Sequence, residues 1–140
     1  LISRLEGAPE RLARAAGERL ERHLQMGRLQ LATDRFWASS YEFRQMPDDL
    51  RRDLAQAALV LIKGDANYRR LLGDRHWPHT ARLAEVAAYF PAPFAALRTL
   101  KAEIIVGLEQ GRAEELAAED ANWLVNGKRG LIQFVGTRNA

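Results

Sequence analysis

An unbroken apolar run, Ala58-Leu59-Val60-Leu61-Ile62, closed by Lys63-Gly64-Asp65, restricts the fold of this chain more than any other feature. A strand with one wet face alternates apolar and polar residues. A continuous run implies a strand buried on both faces, the habit of parallel sheets covered by helices.

The rest of the chain supplies elements that fit such a sheet. From residue 9 to 26, Leu12, Ala16, Leu20 and Leu24 recur every fourth position, one stripe of an amphipathic helix. Pro9 suits its first turn and Gly27 its left-handed end. Pro47-Asp48-Asp49 sets acidic residues at a second helix start, with Leu50, Leu54 and Ala57 facing inward. Residues 111–121 read as a third helix with Leu116 and Ala117 inward. Residues 29–33, 103–106 and 131–135 read as further strands, the last two ended by Gly107 and Gly136. Helix and strand alternate, which predicts an α/β fold, a mainly parallel, Rossmann-like sheet flanked by helices. Four strands with an exposed apolar edge make a thin sheet, and the chain opens on Leu1-Ile2-Ser3 without methionine. Both lead us to expect that residues 1–140 form one unit, the C-terminal part of a larger domain.

Composition removes several function classes. At 140 residues with 47% hydrophobic and 28% charged, the chain has the makings of one globular core. The absence of cysteine excludes disulfides, thiolate metal sites and a thiol nucleophile, and suits a reducing cytoplasm. No apolar segment is long enough to span a bilayer, and no signal segment opens the chain. The pI of about 9.7 accompanies a net charge of only +3, because arginine outnumbers lysine 18 to 3. The arginines lie beside glutamates, as in Glu18-Arg19 and Glu21-Arg22, so a solvated surface is expected and not a nucleic-acid track. Neither nucleic acid nor membrane is an expected partner.

Two stretches could carry chemistry. In open parallel sheets ligands sit beyond the carboxyl ends of the strands, and there the sequence places Lys63-Gly64-Asp65-Ala66-Asn67-Tyr68-Arg69. Gly64 permits a tight turn, Asp65 and Asn67 offer oxygens, and Arg69 can grip a phosphate bidentately. Asp65 and Asn67 would serve equally well as caps of the short helix that follows, and spacing alone does not separate the two roles. The second stretch is Arg98-Thr99-Leu100-Lys101. In extended backbone Thr99 and Lys101 project to one face and Leu100 and Ala102 to the other, so a hydroxyl and an ammonium can close on one phosphate. His76 and His79 lack partners at zinc spacing, and Pro78 between them opposes a helix that would align the rings. Phe36, Trp37, Tyr41 and Phe43 are expected to form a pocket wall. No nucleotide-binding glycine pattern, nucleophile elbow or zinc-protease motif occurs.

Taken together, Arg98-Thr99-Leu100-Lys101, the stretch from Lys63 to Arg69, Leu72-Gly73-Asp74-Arg75, Asp34-Arg35-Phe36-Trp37, Pro91-Ala92-Pro93 and Gly127-Lys128 resemble the metal-dependent damage-control phosphatases. The subfamily is the one marked by an Arg-Thr-x-Lys motif, and the likeness runs from about residue 34 to 135. The resemblance implies hydrolysis of small phosphorylated metabolites such as sugar phosphates, with manganese or a similar divalent ion. It implies Asp65, Asn67, Tyr68, Arg69 and Lys101 as substrate contacts, Lys101 meeting the phosphate. The family's metal ligands include an Asp-Asn pair, and no such dipeptide occurs here. They are therefore expected upstream, with this chain alone inactive. A non-catalytic phosphometabolite-binding fragment and a carboxyl methyltransferase are the alternative readings, and no glycine-rich cofactor loop supports the latter.

Overall fold

The fourfold leucine spacing near the start of the chain does produce a helix. In the computed structural model, which describes residues 1–136, α1 spans Ile2–Glu6 and α2 spans Arg11–Gln25. Gly27 closes α2 with a left-handed backbone, φ +68°. Within this first compact unit, Leu1–Trp37, α1 lies so close to α2 that a Cβ on Gly17 would stand 2.7 Å from the Glu6 nitrogen. Only glycine permits that approach. Leu20 and Leu24 are half-buried, whereas Leu12 and Ala16 are exposed, so only the C-terminal half of the stripe is covered. Residues 29–33 form no strand. Leu31 is exposed there, and the segment enters no strand pairing.

The second unit, Ala38–Ala140, carries the sheet. Its elements are α3 (Asp48–Ala55), β1 (Val60–Lys63), α4 (Asp65–Leu71), α5 (Leu83–Val86), β2 (Phe94–Thr99), α6 (Arg112–Glu119) and β3 (Gly130–Val135). The strand order is β1-β2-β3. β1 runs parallel to β2, with Val60 opposite Phe94, and β3 runs antiparallel to β2, with Val135 opposite Phe94. The sheet is therefore small and mixed, which corrects the expectation of a mainly parallel one. β2 was absent from the sequence reading, and residues 103–106 are not a strand. β2 is paired on both edges, so the segment that follows it has no edge there to join. Ile104, Ile105 and Val106 are instead buried consecutively in irregular backbone, Ile105 packing with Leu100, Ala113, Leu116 and Trp123. In α6 it is Ala113, not Ala117, that joins Leu116 inward.

The two sheet faces differ sharply. One buries Ile62, Phe94 and Ala96. On the other, Leu61, Ala95 and Phe134 form one register row, and Lys63, Leu97 and Ile132 the next. Leu61, Ile132 and Phe134 there are 67%, 76% and 67% exposed, so β1 is covered on one side only. Truncating Phe94 to alanine should accordingly cost about 3–5 kcal/mol, the range for a large core aromatic. Phe134→Ala should cost under about 1 kcal/mol. Urea unfolding of the two variants measures both, and equal losses would mean that the outer face is packed.

Arginine does more structural work than a solvated surface requires. Arg44 donates to the Val86 carbonyl at 2.9 Å and stacks 4.3 Å above the Tyr89 ring. Arg51 donates to the Tyr89 carbonyl at 3.0 Å and Arg70 to the Tyr41 carbonyl at 2.7 Å. These forks tie irregular segments to helices by satisfying main-chain acceptors that no ladder reaches.

Candidate functional site

β1 and β2 run side by side in the same direction, so their carboxyl ends open on one groove. This groove, about 530 Å³, is lined by Lys63, Gly64 and Asp65 from the end of β1 and by Leu97, Arg98, Thr99 and Lys101 from the end of β2. Gly130, Leu131 and Ile132 of β3 form the remaining wall. Gly64 makes the turn out of β1 with φ +105°, a conformation closed to residues bearing a Cβ. A slightly larger cavity of about 590 Å³ lies at the other end of the strands, among Arg82, Phe90, Pro91, Pro93 and Phe134. It gathers one cation only and lies at the amino end of the parallel pair, where ligands of such sheets are not held. We assign the site to the carboxyl-end groove.

The groove brings together the ends of the two stretches singled out in the sequence. Thr99 and Lys101 are exposed and Leu100 between them is buried, the alternation expected for this segment. Among the described residues, neither Lys63 nor Lys101 forms an ion pair. Gly127 turns beside Lys101 with φ +73°, a conformation that favours glycine, and a Cβ there would lie in ordinary contact, 3.8 Å, with Lys101 Cε. Gly127 also donates its N–H to the Leu100 carbonyl at 3.0 Å. The turn that carries Gly127 is itself braced. Asp120 accepts from Arg129 at 2.9 Å and from Asn126 at 2.7 Å, and the Arg129 and Asn126 contacts hold its carboxyl below the usual range.

The remaining candidates point elsewhere or are engaged within the fold. Asp65 stands 2.5 Å from Arg98 Nη2, yet its Oδ1 accepts no well-aligned hydrogen bond. Asn67 donates from Nδ2 to the Lys63 carbonyl at 2.9 Å, bracing the turn that Gly64 makes. Arg69 forms a bidentate pair with Asp74 at 2.7 and 2.8 Å and lines a neighbouring hollow with His76 and Glu103. Asp74 is held below its usual range by that arginine. Tyr68 is buried, its hydroxyl donating to Gln133 Oε1 at 2.8 Å. His79 stacks edge-on against Trp123 with centroids 6.3 Å apart, Phe36 against Trp37 at 5.4 Å, and Phe43 packs on Phe90 at 6.1 Å. Lys63 went unremarked as a site residue in the sequence, although its place as the last residue of a strand beside a glycine was the available signal.

The groove's donor set does not suit a divalent ion. Asp65 is its one carboxylate and already faces a guanidinium. Among the described residues, no three His, Cys, Asp or Glu side chains converge. A hard cation requires about six oxygens, and no step can be routed through one here. What the groove offers is cationic and hydroxylic, suited to an anion.

Burial pushes the Tyr68 hydroxyl up to about 12, against the opposing pull of the Val106 N–H and of Arg98, and it pushes Tyr89 to about 12 as well. Unfolded tyrosine titrates near 10. Between these values the folded chain keeps protons that the unfolded chain releases. Stability is thus complete below pH 10 and falls as pH rises toward 12, by about 2–3 kcal/mol for each tyrosine. Urea midpoints taken at pH about 9 and about 11.5 should show the fall. Replacing both residues with phenylalanine should remove it, and a slope unchanged in that variant would refute the assignment.

Comparison with known proteins places the chain in a family. Residues 1–116 match the damage-control phosphatase ARMT1-like domain. The relative named damage-control phosphatase ARMT1 in Bos taurus is 39% identical over 140 residues, 97% of this chain and 32% of the relative. Proteins of the same name in Homo sapiens and Danio rerio are 36% identical over 140 residues and 47% over 103 residues. These cover 97% and 71% of this chain, and 32% and 23% of the relatives. The chain spans about a third of the length of the first of these relatives. The likeness therefore begins well before residue 34, where the motifs first become recognisable. With the family match covering most of its length, the chain belongs to the ARMT1-like damage-control phosphatase domain family.

Proposed function

We propose that this chain supplies the phosphate-binding wall of a metal-dependent phosphatase that hydrolyses phosphorylated metabolites, sugar phosphates among them. One observation carries the reading: two lysines without carboxylate partners among the described residues, Lys63 and Lys101, share a groove with the Thr99 hydroxyl at the carboxyl ends of a parallel strand pair. Both ammonium groups favour a dianionic ester. Lys101 neutralises the phosphoryl oxygens as charge shifts during transfer, and Thr99 donates a hydrogen bond to one of them. Asp65 buries its Oδ1 against Arg98 but keeps part of its side chain at the groove, where the other carboxylate oxygen would accept from a sugar hydroxyl. The divalent ion, manganese by family resemblance, supplies polarisation of the ester when bound, on ligands outside these residues.

The test uses a full-length polypeptide carrying this chain and a panel of sugar phosphates, with phosphate release followed as manganese is added and chelated. Metal-dependent release with competitive inhibition by inorganic phosphate is expected. The 140-residue chain alone should bind manganese weakly and release no phosphate. Absence of release by the full-length polypeptide with any divalent ion would overturn the proposal, and release by the 140 residues alone would overturn its metal part.

A further inference from the structure

Arg98 begins the motif that contains Lys101, yet it cannot meet a phosphate as Lys101 can. Its side chain has no exposed surface. It projects from β2 on the same face as Phe94 and Ala96, at a position where alternation calls for an apolar residue. Nη1 donates to the Ile104 carbonyl at 2.5 Å and Nη2 to the Ala102 carbonyl at 3.2 Å. Nη2 also faces Asp65 at 2.5 Å, and the guanidinium carbon lies 4.5 Å above the Tyr68 ring.

These contacts converge on a segment with little else to hold it. Residues 101–106 form no helix or strand, and no backbone-to-backbone hydrogen bond involves them among the described residues. Lys101 is flanked by two fixed points. On one side, the Leu100 N–H donates to the Arg129 carbonyl at 2.9 Å and its carbonyl accepts from Gly127. On the other, the Ala102 carbonyl is held by Arg98. Farther along, Val106 is tied through the Tyr68 hydroxyl and through Gln133, which donates to its carbonyl at 2.7 Å.

We propose that Arg98 is a positioning residue: one buried guanidinium ties both Asp65 and the segment carrying Lys101, and so sets the distance between the phosphate cation and the hydroxyl acceptor of the groove. The proposal rests on the phosphate-site reading above. It explains why a motif ending in a functional lysine begins with an arginine three residues earlier. The planar fork reaches two carbonyls and a carboxylate at once, which a single ammonium cannot do. A loosened segment would let Lys101 drift, and displacement of a contact by about 1 Å can slow a reaction on the order of a hundredfold.

The experiment is a double-mutant cycle in the full-length polypeptide with a sugar phosphate, using Arg98→Lys, Lys101→Ala and their combination. Arg98→Lys should lower kcat/KM at least about tenfold in the wild-type background and less than about twofold when Lys101 is already alanine. Equal losses in both backgrounds would overturn the proposal. Should Arg98→Lys fail to fold, Arg98→Met with Asp65→Asn removes both charges together and carries the same comparison. Hydrogen exchange provides a readout independent of turnover. The Val106 amide, whose N–H meets the Tyr68 hydroxyl, should exchange at least about tenfold faster in the Arg98 variant, with those around Leu116 unchanged. Unchanged exchange at Val106 would also overturn it. Full activity in Lys101→Ala alone would instead refute the phosphate site, leaving the exchange result to decide what Arg98 holds.

Discussion

Lys101→Ala in a full-length polypeptide should lower kcat/KM for a sugar phosphate at least about tenfold, about 1.4 kcal/mol of lost transition-state stabilisation. The melting temperature should stay close to wild type, because Lys101 is exposed and neighbours a wall that already tolerates solvent. Lys101→Arg should rescue poorly, since a broad planar fork does not replace a compact point charge. Lys128, exposed in the same turn and absent from the groove lining, is the control and should tolerate alanine. Steady-state phosphate release by the four proteins decides the matter. Equal rates for wild type and Lys101→Ala would withdraw the assignment of the phosphate site.

Asp65→Ala should produce the largest loss of stability at the site, about 3 kcal/mol. The carboxylate faces a guanidinium with no exposed surface, and burial already pushes that guanidinium below its usual range while Asp65 opposes the shift. Removing the carboxylate strands a buried charge, which costs more than the pair itself contributes. The comparison is Arg112 with Glu115, an exposed pair three residues apart, where Glu115→Ala should change stability by under about 0.5 kcal/mol. Urea unfolding of both variants makes the contrast measurable. A loss at Asp65 no larger than that at Glu115 would mean that Arg98 finds another partner or takes up water.

The sequence was legible where one cause shaped it and misleading where two causes leave the same trace. The run before Lys63 did mark a strand, because β-branched and leucine residues ending in Lys-Gly-Asp have few other uses. Its unbroken apolarity implied cover on both faces, yet Leu61 and Phe134 in its row lie bare. Ile104-Ile105-Val106 has equally strand-like composition and is irregular backbone. An apolar run by itself decides neither ladder nor cover: the one around Leu61 has a ladder and a bare face, and Ile104 to Val106 are buried without a ladder. β2 escaped notice for the converse reason: Ala95 and Ala96 are small, and Arg98 breaks the alternation at its end. Half of the groove was readable: Lys63-Gly64-Asp65 ends a strand that the sequence marked, whereas Thr99-Leu100-Lys101 ends β2, which it did not mark, so the meeting of the two ends was not legible. The separate destinations of Tyr68 and Arg69 were not readable. Their neighbours in space, Gln133 and Asp74, are chosen by tertiary packing and by a positive-φ turn at Asp74.

The two outer edges of the sheet have a consequence for assembly. Among the described residues neither β1 nor β3 is paired on its far side, and the two edges are unlike. When the β3 edge of one copy joins the β1 edge of another, the contact is head-to-tail and leaves one edge of each kind free at the ends. Such growth ends only where the rotation between copies closes a ring, so it has no reason to stop at a dimer as concentration rises. Two features brake it: β1 is only four residues long, and it ends on exposed Lys63. Salt weakens the second brake by screening the lysine charge. Light scattered by solutions of this chain should therefore climb with ionic strength at fixed concentration, making Lys63 also a keeper of solubility.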